Sequence, residues 1–321
     1  MGKSMNLIVD YSSLFRKYKS KFDKQEEGKS YGMPLERLSS EIVNDNGEKE
    51  LIDTSLIYYP MREIEECRRK FESNCIDVTV TVCFDSGNNI RKHENSDYKS
   101  GRKRLNEDDL VASQKGYEIF KDLQYNVLKV DGYEADDLIL AAVERSKDKF
   151  DAVLIMTNDK DLASAVGPRV SVYRYKWNTG CSLVTQNNFN SYFSSEFGVI
   201  EMPNNVMMLY LSTVGDTPDK IKGIPGFGKA AFNKFIAHLR VNRGIDFREL
   251  SNADKVEELL RSEEDYLGKE KVEQALEALK LVRPLDTSNV KLDEIKKLTR
   301  EESENNRTRV YGKWQFISLI K

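Results

Sequence analysis

Residues 151–161, DAVLIMTNDKD, carry the pattern that decides the fold: a short apolar run is followed at once by Asp159 and Asp161. The same order occurs twice more, where LIV precedes Asp10 and VTVTVCF precedes Asp85. Short apolar runs bounded by polar residues predict buried strands. Because loops at the carboxyl ends of neighbouring parallel strands meet at one crevice, we expect these acids to lie close together.

Strand and helix patterns alternate along the first two hundred residues, which predicts a mostly parallel α/β sheet flanked by helices. The predicted strands are 5–9, 78–84, 125–130 and 151–156, and the predicted helices lie near 59–73, 106–123, 134–147 and 160–166. Two further strand patterns, 170–175 and 182–185, flank WNTG, which predicts a hairpin at one edge of the sheet.

The pattern becomes mostly helical after about residue 200, with candidate helices at 204–212, 227–240, 254–261 and 268–282. We therefore divide the chain into an α/β domain, 1–200, and a helical region, 201–321. Residues 16–55 are polar, charged and weakly periodic, and we interpret them as an insertion or a mobile segment rather than core.

Composition excludes several classes of protein. Of the 321 residues, 39% are hydrophobic and 32% are charged, as in soluble globular proteins. No apolar stretch approaches the roughly 18 residues that span a bilayer, and we expect a bacterial or phage-infected cytosol as the location. The four cysteines form no CxxC pair and only two histidines are present, so we expect thiols rather than a Cys/His zinc site.

Nine carboxylates follow candidate strands or begin candidate helices, and together they predict a divalent-metal site. They are Asp10, Asp85, Glu134, Asp136, Asp137, Asp159, Asp161, Asp216 and Asp219. Magnesium prefers oxygen ligands and keeps several waters, so some acids bind each ion directly and others orient its waters. Crowded carboxylates would otherwise repel one another. The alternative interpretation, that each acid is a helix cap or turn residue, explains single acids better than the whole set.

Two basic segments suit a polyanionic partner. The first contains Arg91, Lys92, Lys99, Arg102, Lys103 and Arg104, and the second contains Lys220, Lys222, Lys229, Lys234, Arg240 and Arg243. The net charge is −3, yet the balance without the nine acids is about +6, and positive regions of this kind are typical of nucleic-acid-binding proteins. An ordinary solvated surface is the alternative interpretation.

A glycine-rich turn follows Asp216 and Asp219 in the stretch GDTPDKIKGIPGFG, residues 215–228. Glycine allows backbone N–H groups to approach a phosphate closely, particularly where a helix begins. Such contacts grip a nucleic-acid backbone without reading its sequence. A plain corner between two helices is the alternative interpretation.

In these segments the chain resembles the 5′ nucleases of the flap endonuclease family, especially the phage enzymes and the 5′ nuclease domain of bacterial DNA polymerase I. The matching pieces are the strand that ends at Asp10, Phe84-Asp85, the pattern Arg91…Tyr98-Lys99…Arg102, EADD at 134–137, NDKD at 158–161, and GDTPD…GIPGFG at 215–228. They occur in the family's order and span most of residues 5–240.

The resemblance implies a PIN-like sheet and two or more Mg²⁺ ions, for which Mn²⁺ can substitute. It assigns Asp10, Asp85, Glu134 and Asp136 to one ion, Asp159, Asp161 and Asp216 to a second, and Asp137 and Asp219 as outer or shared ligands. It also implies a helix-hairpin-helix-type element at about 215–240, which grips duplex DNA and holds K⁺.

The resemblance also implies DNA contacts. Lys99 and Arg102 are expected near the scissile phosphate, and we group them as catalytic with Asp10, Asp85, Glu134, Asp136, Asp159 and Asp161. Tyr98 is expected either to stack on a base or to be a buried aromatic residue. The other expected DNA contacts are Arg91, Lys103, Lys222, Gly223, Gly226, Gly228 and Lys229.

The implied function is a structure-specific flap endonuclease and 5′-3′ exonuclease of DNA replication or repair, which removes flaps or RNA primers and leaves 5′-phosphates. The expected partners are branched or 5′-ended duplex DNA, an RNA–DNA hybrid, and a separate polymerase or single-strand-binding protein, with the enzyme itself a monomer. Two alternatives stay open: an RNA-directed PIN-like nuclease, and a non-catalytic protein that binds DNA junctions.

Overall fold

The structure is a computed structural model. It describes residues 3–29, 34–43, 46–74, 76–101, 103–176, 180–203, 205–288, 294–297 and 299–320, without the side chains of Lys176, Cys181 and Arg300.

A mixed, mostly parallel sheet lies at the centre of the molecule. In the described part of the chain it has six strands: β1 (Lys3–Asp10), β4 (Ile76–Cys83), β5 (Asn126–Leu128), β6 (Ala152–Met156), β7 (Val170–Lys176) and β8 (Gly180–Val184). Their order is β5-β4-β1-β6-β7-β8, and only the β7–β8 pair is antiparallel among them. Two small antiparallel hairpins lie outside this sheet: β2 (Ser39–Val43) with β3 (Lys49–Asp53), and β9 (Gly215–Asp216) with β10 (Ile221–Lys222).

The register of the central strands brings their acidic ends to one edge. β1 pairs with β4 and β6 on its two sides, and Asp10 lies opposite Cys83. Asp85 follows β4 by two residues, and Asp159 follows β6 by three. The three strands are buried along most of their length, including the last six residues of β1 and of β4, because helices cover both faces of the sheet.

Helices cover both faces of the sheet and form most of the C-terminal region. They are α1 (Tyr11–Glu26), α2 (Ser55–Glu72), α3 (Ile90–Glu94), α4 (Glu107–Asp122), α5 (Ala135–Ser146), α6 (Phe189–Phe197), α7 (Met207–Thr213), α8 (Lys229–Val241), α9 (Ala253–Ser262), α10 (Glu264–Leu267), α11 (Lys269–Val282) and α12 (Arg300–Lys313). Single 3₁₀ turns lie at Asp161–Ala165, Phe247–Glu249 and Ile317–Leu319.

Two hydrophobic cores hold these helices in place. On one face, α1, α2, α4 and the C-terminal α12 share a core that includes Phe15, Phe120 and Tyr311. On the other face, α5 packs together with the helices that follow the sheet, through residues such as Phe193 and Phe232. The second core therefore continues across residue 200, and the division into two domains at that position stays a prediction.

The predicted strands, the edge hairpin and the C-terminal helices are confirmed, with ends shifted by a few residues. The helix predicted near 160–166 is a single 3₁₀ turn. Residues 177–179 of the predicted WNTG turn lie outside the described residues. Cys67 and Cys83 are buried, whereas Cys75 and the side chain of Cys181 lie outside the description. None of the described helices is long and apolar enough to span a membrane.

The interpretation of residues 16–55 as an insertion or mobile segment rather than core is wrong for much of the segment. α1 continues to Glu26 and buries Tyr18 and Phe22, and Ile42 of β2 is also buried. The buried residues of α1 recur at helical spacing, but lysines and other polar residues fill the intervening positions. That polar majority makes an amphipathic helix resemble an insertion when only composition is considered.

Candidate active site

A cleft of about 280 Å³ opens at the carboxyl ends of the central strands. Among the described residues, six carboxylates line it: Asp10, Asp85, Asp136, Asp159, Asp216 and Asp219. Four cationic side chains also line it: Arg16, Lys99, Lys160 and Arg174. The structure thus brings six of the nine predicted acids together in this cleft, as expected for the carboxyl edge of a parallel sheet.

Asp10 occupies the junction between β1 and α1. One carboxylate oxygen accepts the N–H of Ser13 at 2.9 Å and caps the helix, and the other accepts the hydroxyl of Thr157 at 2.7 Å. Burial raises the pKa of Asp10 to about 7, with the nearby charges of Asp85 and Asp159 adding to the rise and the two hydrogen bonds opposing it. A nearby cation would stabilise the ionised form of this carboxyl.

Asp136 lies in the first turn of α5, next to the end of β4. The backbone N–H of Ala135 donates to Asp85 Oδ1 at 2.9 Å, which fixes the start of α5 against that strand end. Burial raises the pKa of Asp136 well above its usual value, and the charge of Asp159 raises it further. Both β4 and α5 therefore direct carboxylates into a region that already has too much negative charge.

A second group of acids combines the turn after β6 with the β9–β10 hairpin. Carboxylate oxygens of Asp161, Asp216 and Asp219 lie within 4.8 Å of one another. Asp161 Oδ1 is buried, and within the described residues it accepts no hydrogen bond. Burial and then the charge of Asp159 raise the pKa of Asp161 well above its usual value. Three converging oxygen donors, one of them unsatisfied, fit a hard divalent cation such as Mg²⁺.

Lys99 projects into the acids from the other side. Its Nζ donates to Glu134 Oε1 at 2.8 Å and lies 3.8 Å from Asp136 and 3.7 Å from Asp219. Burial lowers the pKa of this ammonium, but the charges of Asp136 and Glu134 outweigh burial and raise it well above the usual value. The backbone of Lys99 has φ 52°, and its N–H donates to the carbonyl of Asp219 at 3.2 Å. The hairpin that carries Asp219 therefore positions Lys99.

The glycine-rich turn connects α7 to α8 through β9 and β10. A Cβ at position 223 would lie 2.4 Å from the carbonyl oxygen of Thr213, so only glycine fits there, and Gly226 has φ +72°. Gly228 is the N-cap of α8, and Lys222, Gly226, Gly228 and Lys229 are exposed, whereas Gly223 is half-buried. The exposed start of α8 is a geometry that suits anions.

A protein-family model described as 5′-3′ exonuclease, N-terminal resolvase-like domain, matches residues 7–194. The chain belongs to this family. The matched residues include all or part of each described strand of the central sheet and the acids of the cleft up to Asp159.

Relatives in sequence include the DNA polymerase I of Caldicellulosiruptor bescii, which is 27% identical over 246 residues. That alignment covers 75% of this chain and 27% of the polymerase, so the chain spans about a quarter of its length. The 5′-3′ exonuclease of Mycoplasma pneumoniae is 29% identical over 197 residues, which cover 61% of this chain and 64% of that protein.

Structural neighbours show that the fold extends over nearly the whole chain. The T5 D15 protein, co-crystallized with metal ions, has a TM-score of 0.54 at 16% identity and covers 99% of this chain and 100% of its own. T5 5′-exonuclease with bound zinc has a TM-score of 0.56 at 16% identity and covers 96% of this chain and 98% of its own. At this identity the likeness concerns the fold.

Arg91 and Asp137 bind each other, although the sequence predicts a DNA contact for Arg91 and an outer or shared metal ligand at Asp137. The two terminal guanidinium nitrogens of Arg91 donate to Asp137, at 2.7 and 2.8 Å. Asp137 also accepts the backbone N–H groups of Leu285 at 2.9 Å and Glu134 at 3.3 Å. Both side chains are almost fully buried. These contacts disagree with a DNA contact for Arg91 and with direct ion binding by Asp137, because the terminal nitrogens of Arg91 and both oxygens of Asp137 are already engaged.

Of the two roles expected for Tyr98, stacking on a base or packing as a buried aromatic residue, the structure shows the second. Tyr98 is 4% exposed, and its hydroxyl donates to Glu134 Oε2 at 3.0 Å, so its ring offers no face to a base. Glu134 also accepts from Arg91 at 3.0 Å. Lys103 is exposed and pairs with Asp23 at 3.0 Å, away from the acids of the cleft. The predicted phosphate contact Arg102 lies outside the described residues.

Sequence reasoning gave no role to three cations of the cleft: Arg16, Lys160 and Arg174. Arg174 lies near the end of β7, pairs with Glu196 and donates to the carbonyl of Asn158 at 2.9 Å. The rule that located the acids, a charged residue near the carboxyl end of a parallel strand, could have located Arg174 as well. Lys160 was visible between Asp159 and Asp161 in NDKD.

Proposed function

We propose that the chain is a structure-specific 5′ nuclease, with flap endonuclease and 5′-3′ exonuclease activity. Its substrate would be branched or 5′-ended duplex DNA, and the products would carry 5′-phosphates. In this proposal residues 1–200 form the nuclease domain and residues 201–321 the DNA-holding region. The role would be the removal of flaps or RNA primers in DNA replication or repair.

The observation that carries the proposal is the excess of carboxylates at the carboxyl edge of the sheet. Burial and mutual repulsion raise the pKa of Asp10, Asp136 and Asp161, so the site favours added positive charge. Two or more Mg²⁺ ions, or Mn²⁺ in their place, would supply it. Bound ions of this kind generate a hydroxide nucleophile from water and stabilise the charge that develops on the phosphate and the leaving oxygen.

The ligands would come from two groups of acids. Asp10, Asp85, Asp136 and Asp159 line the cleft, and carboxylate oxygens of Asp161, Asp216 and Asp219 converge within 4.8 Å of one another. Glu134 would join the first group only after giving up part of its contact with Lys99, at 2.8 Å. Asp137 would act through Arg91 and Glu134 rather than on an ion.

The chain's own cations would bind and orient the phosphate. The ammonium of Lys99 lies at the wall of the cleft and would stabilise negative charge at the scissile phosphate. Arg16 also lines the cleft, and a guanidinium can contact phosphate oxygens in pairs, whereas Arg174 is held by Glu196 and the carbonyl of Asn158. Exposed backbone at Gly226 and Gly228 would hold the duplex without reading its sequence, with K⁺ as a further ion at this element.

Names of relatives and neighbours support the same proposal. The neighbours include a T5 flap endonuclease described as a complex with DNA and metal ions, which has a TM-score of 0.53 at 16% identity. Other relatives are named 5′-3′ exonuclease or DNA polymerase I. We propose that this chain acts as a monomer beside a separate polymerase or single-strand-binding protein.

The test is cleavage of an end-labelled 5′-flap DNA by the wild type and Asp159→Asn, with magnesium and with chelator. We expect cleavage near the junction that requires magnesium and falls by at least about a hundredfold in the variant, because Asp159 lines the cleft. Asp265→Asn is the matched control, since Asp265 is exposed on α10 outside the cleft, and it should cleave normally.

Other outcomes separate the alternatives. Tight junction binding without cleavage under any divalent ion would contradict the nuclease and support a binding protein. A parallel substrate with an RNA flap measures the preference between the two sugars, because only contacts to the 2′-hydroxyl distinguish them. Cleavage of single-stranded RNA alone would indicate an RNA-directed nuclease.

A further inference from the structure

Lys160 lies inside the second group of acids and contacts two of them. Its Nζ donates to Asp216 Oδ1 at 2.7 Å and lies 3.8 Å from Asp161 Oδ1. Burial lowers the pKa of this ammonium, but the charges of Asp161 and Asp216 outweigh burial and raise it above its usual value. The group assigned to the second ion therefore contains a cation supplied by the chain itself.

Lys160 differs from Lys99 in how firmly it is held. The side chain of Lys99 is 5% exposed, and its ammonium lies within 4 Å of three carboxylates. The side chain of Lys160 is 21% exposed and reaches the cleft from the turn after β6. A lysine ammonium on a flexible four-carbon stem can leave such a position more easily than a buried one.

Asp216 cannot bind a divalent ion and the Lys160 ammonium together without weakening one of the two interactions. A divalent ion that used oxygens of Asp161, Asp216 and Asp219 would lie within a few ångströms of the Lys160 ammonium, where positive charges repel strongly. Alternatively the ammonium would move away and lose a charge-assisted hydrogen bond of 2.7 Å. Either course weakens binding of the ion.

We propose that Lys160 is an internal counter-ion that competes with a divalent ion for Asp216 and thereby sets the affinity of the second ion site. This inference rests on the proposed function, because it takes Asp161, Asp216 and Asp219 as ligands of that ion. Lys160 stabilises the acids when divalent ions are scarce, and it releases Asp216 when they are abundant.

The test compares binding of Mn²⁺ to the full chain in the wild type, Lys160→Met and Lys160→Arg, measured from the electron paramagnetic resonance signal of unbound Mn²⁺. Lys160→Met should bind the more weakly held Mn²⁺ ion about tenfold more tightly than the wild type. A tenfold change corresponds to about 1.4 kcal/mol, the size expected when one competing hydrogen bond to a charged group is lost. Lys160→Arg keeps the charge and should remain near the wild type.

Lys129→Met is the matched control. It removes the same charge from an exposed lysine that donates to Gln114 at 3.3 Å, outside the cleft. Because Lys129 does not line the cleft, salt screens its charge from the cleft acids. Mn²⁺ binding by Lys129→Met should therefore stay within about twofold of the wild type. An equal effect of Lys129→Met and Lys160→Met would show that net charge, not competition at Asp216, sets the affinity.

Thermal unfolding provides a second measurement. In chelator, Lys160→Met should unfold at a lower temperature than the wild type, and Mn²⁺ should raise its unfolding temperature by more, because tighter binding adds more stability. Unchanged or weaker Mn²⁺ binding by Lys160→Met, with normal binding by the wild type, overturns this inference alone. Absence of Mn²⁺ binding in every variant overturns the ion site and with it the proposed function.

Discussion

Two regions of the molecule bury carboxylates in opposite ways: the cleft, and a charged network around Glu65 of α2. Glu65 is 1% exposed. Its oxygens accept the hydroxyls of Tyr125 at 2.6 Å and Tyr311 at 2.9 Å, and Arg68 at 2.7 Å. Arg307 of α12 lies 3.9 Å away. The network connects α2 to Tyr125, which directly precedes β5, and to α12.

The two regions differ in the balance of charge. Burial would raise the pKa of Glu65, but the charges of Arg68 and Arg307 outweigh it and hold the pKa below its usual value. In the cleft, burial and neighbouring acids raise the pKa of Asp10 and Asp136. A buried acid whose donors and cations are complete stabilises the fold, whereas one in an uncompensated group is available to a ligand.

The largest effect that tests this comparison is expected from Glu65→Ala. The substitution leaves buried Arg68 with Glu72 as its remaining partner and removes the acceptor of Tyr125 and Tyr311. Breaking a buried ion pair from one side costs about 3–5 kcal/mol. We expect the free energy of unfolding, measured by urea denaturation, to fall by that amount. Glu66→Ala is the control on the same helix, since Glu66 is 63% exposed and should change stability by less than about 0.5 kcal/mol. Equal losses in both variants would contradict a special role for Glu65.

The neighbouring acids Asp136 and Asp137 provide a closer test. They follow each other in α5, but Asp136 belongs to the uncompensated acids of the cleft, whereas Asp137 is paired with Arg91. Asp137→Asn removes the charge that holds Arg91, and we expect a loss of about 2–3 kcal/mol in stability. Asp136→Asn relieves repulsion among the cleft acids, and in chelator we expect a gain of up to about 1 kcal/mol.

The response to divalent ions should also distinguish the two variants. Mg²⁺ should raise the unfolding temperature of Asp137→Asn as much as that of the wild type, but should have a much smaller effect on Asp136→Asn. Differential scanning fluorimetry with and without Mg²⁺ measures both changes. If Asp137→Asn also loses the response to Mg²⁺, Asp137 is an ion ligand after all, and the pairing with Arg91 has another purpose.

This pair also shows how far the sequence alone could go. Alternation of strands and helices, with acids at the strand ends, was enough to predict the parallel sheet and the crevice. It could not separate Asp136 from Asp137, because both lie in the first turn of one helix. Their roles depend on Arg91, which comes from α3, and on the backbone of Leu285, which follows α11. No spacing within a single motif encodes such contacts.

Composition caused the other errors. Polar and charged residues form the majority of α1, so composition conceals its buried residues and favours the interpretation of residues 16–55 as an insertion. Tyr98 lies between charged residues in the sequence, but Ile221 and Ala278 pack with it in the folded chain. In both cases apolar burial depends on partners distant in sequence, which local polarity conceals.

The smallest expected effect concerns pH and applies to the stability network rather than to the cleft. Because the pKa of folded Glu65 lies below its usual 4.5, the folded state favours the ionised carboxylate. The stability that this provides is complete above the unfolded pKa and is lost as the pH falls through the folded pKa. The stability advantage of the wild type over Glu65→Gln, measured by urea denaturation from pH 7 to pH 3, should therefore be constant near neutrality and shrink below about 4.5. An advantage that grew on acidification would mean that Glu65 is held in its protonated form, and the contrast with the cleft acids would be lost.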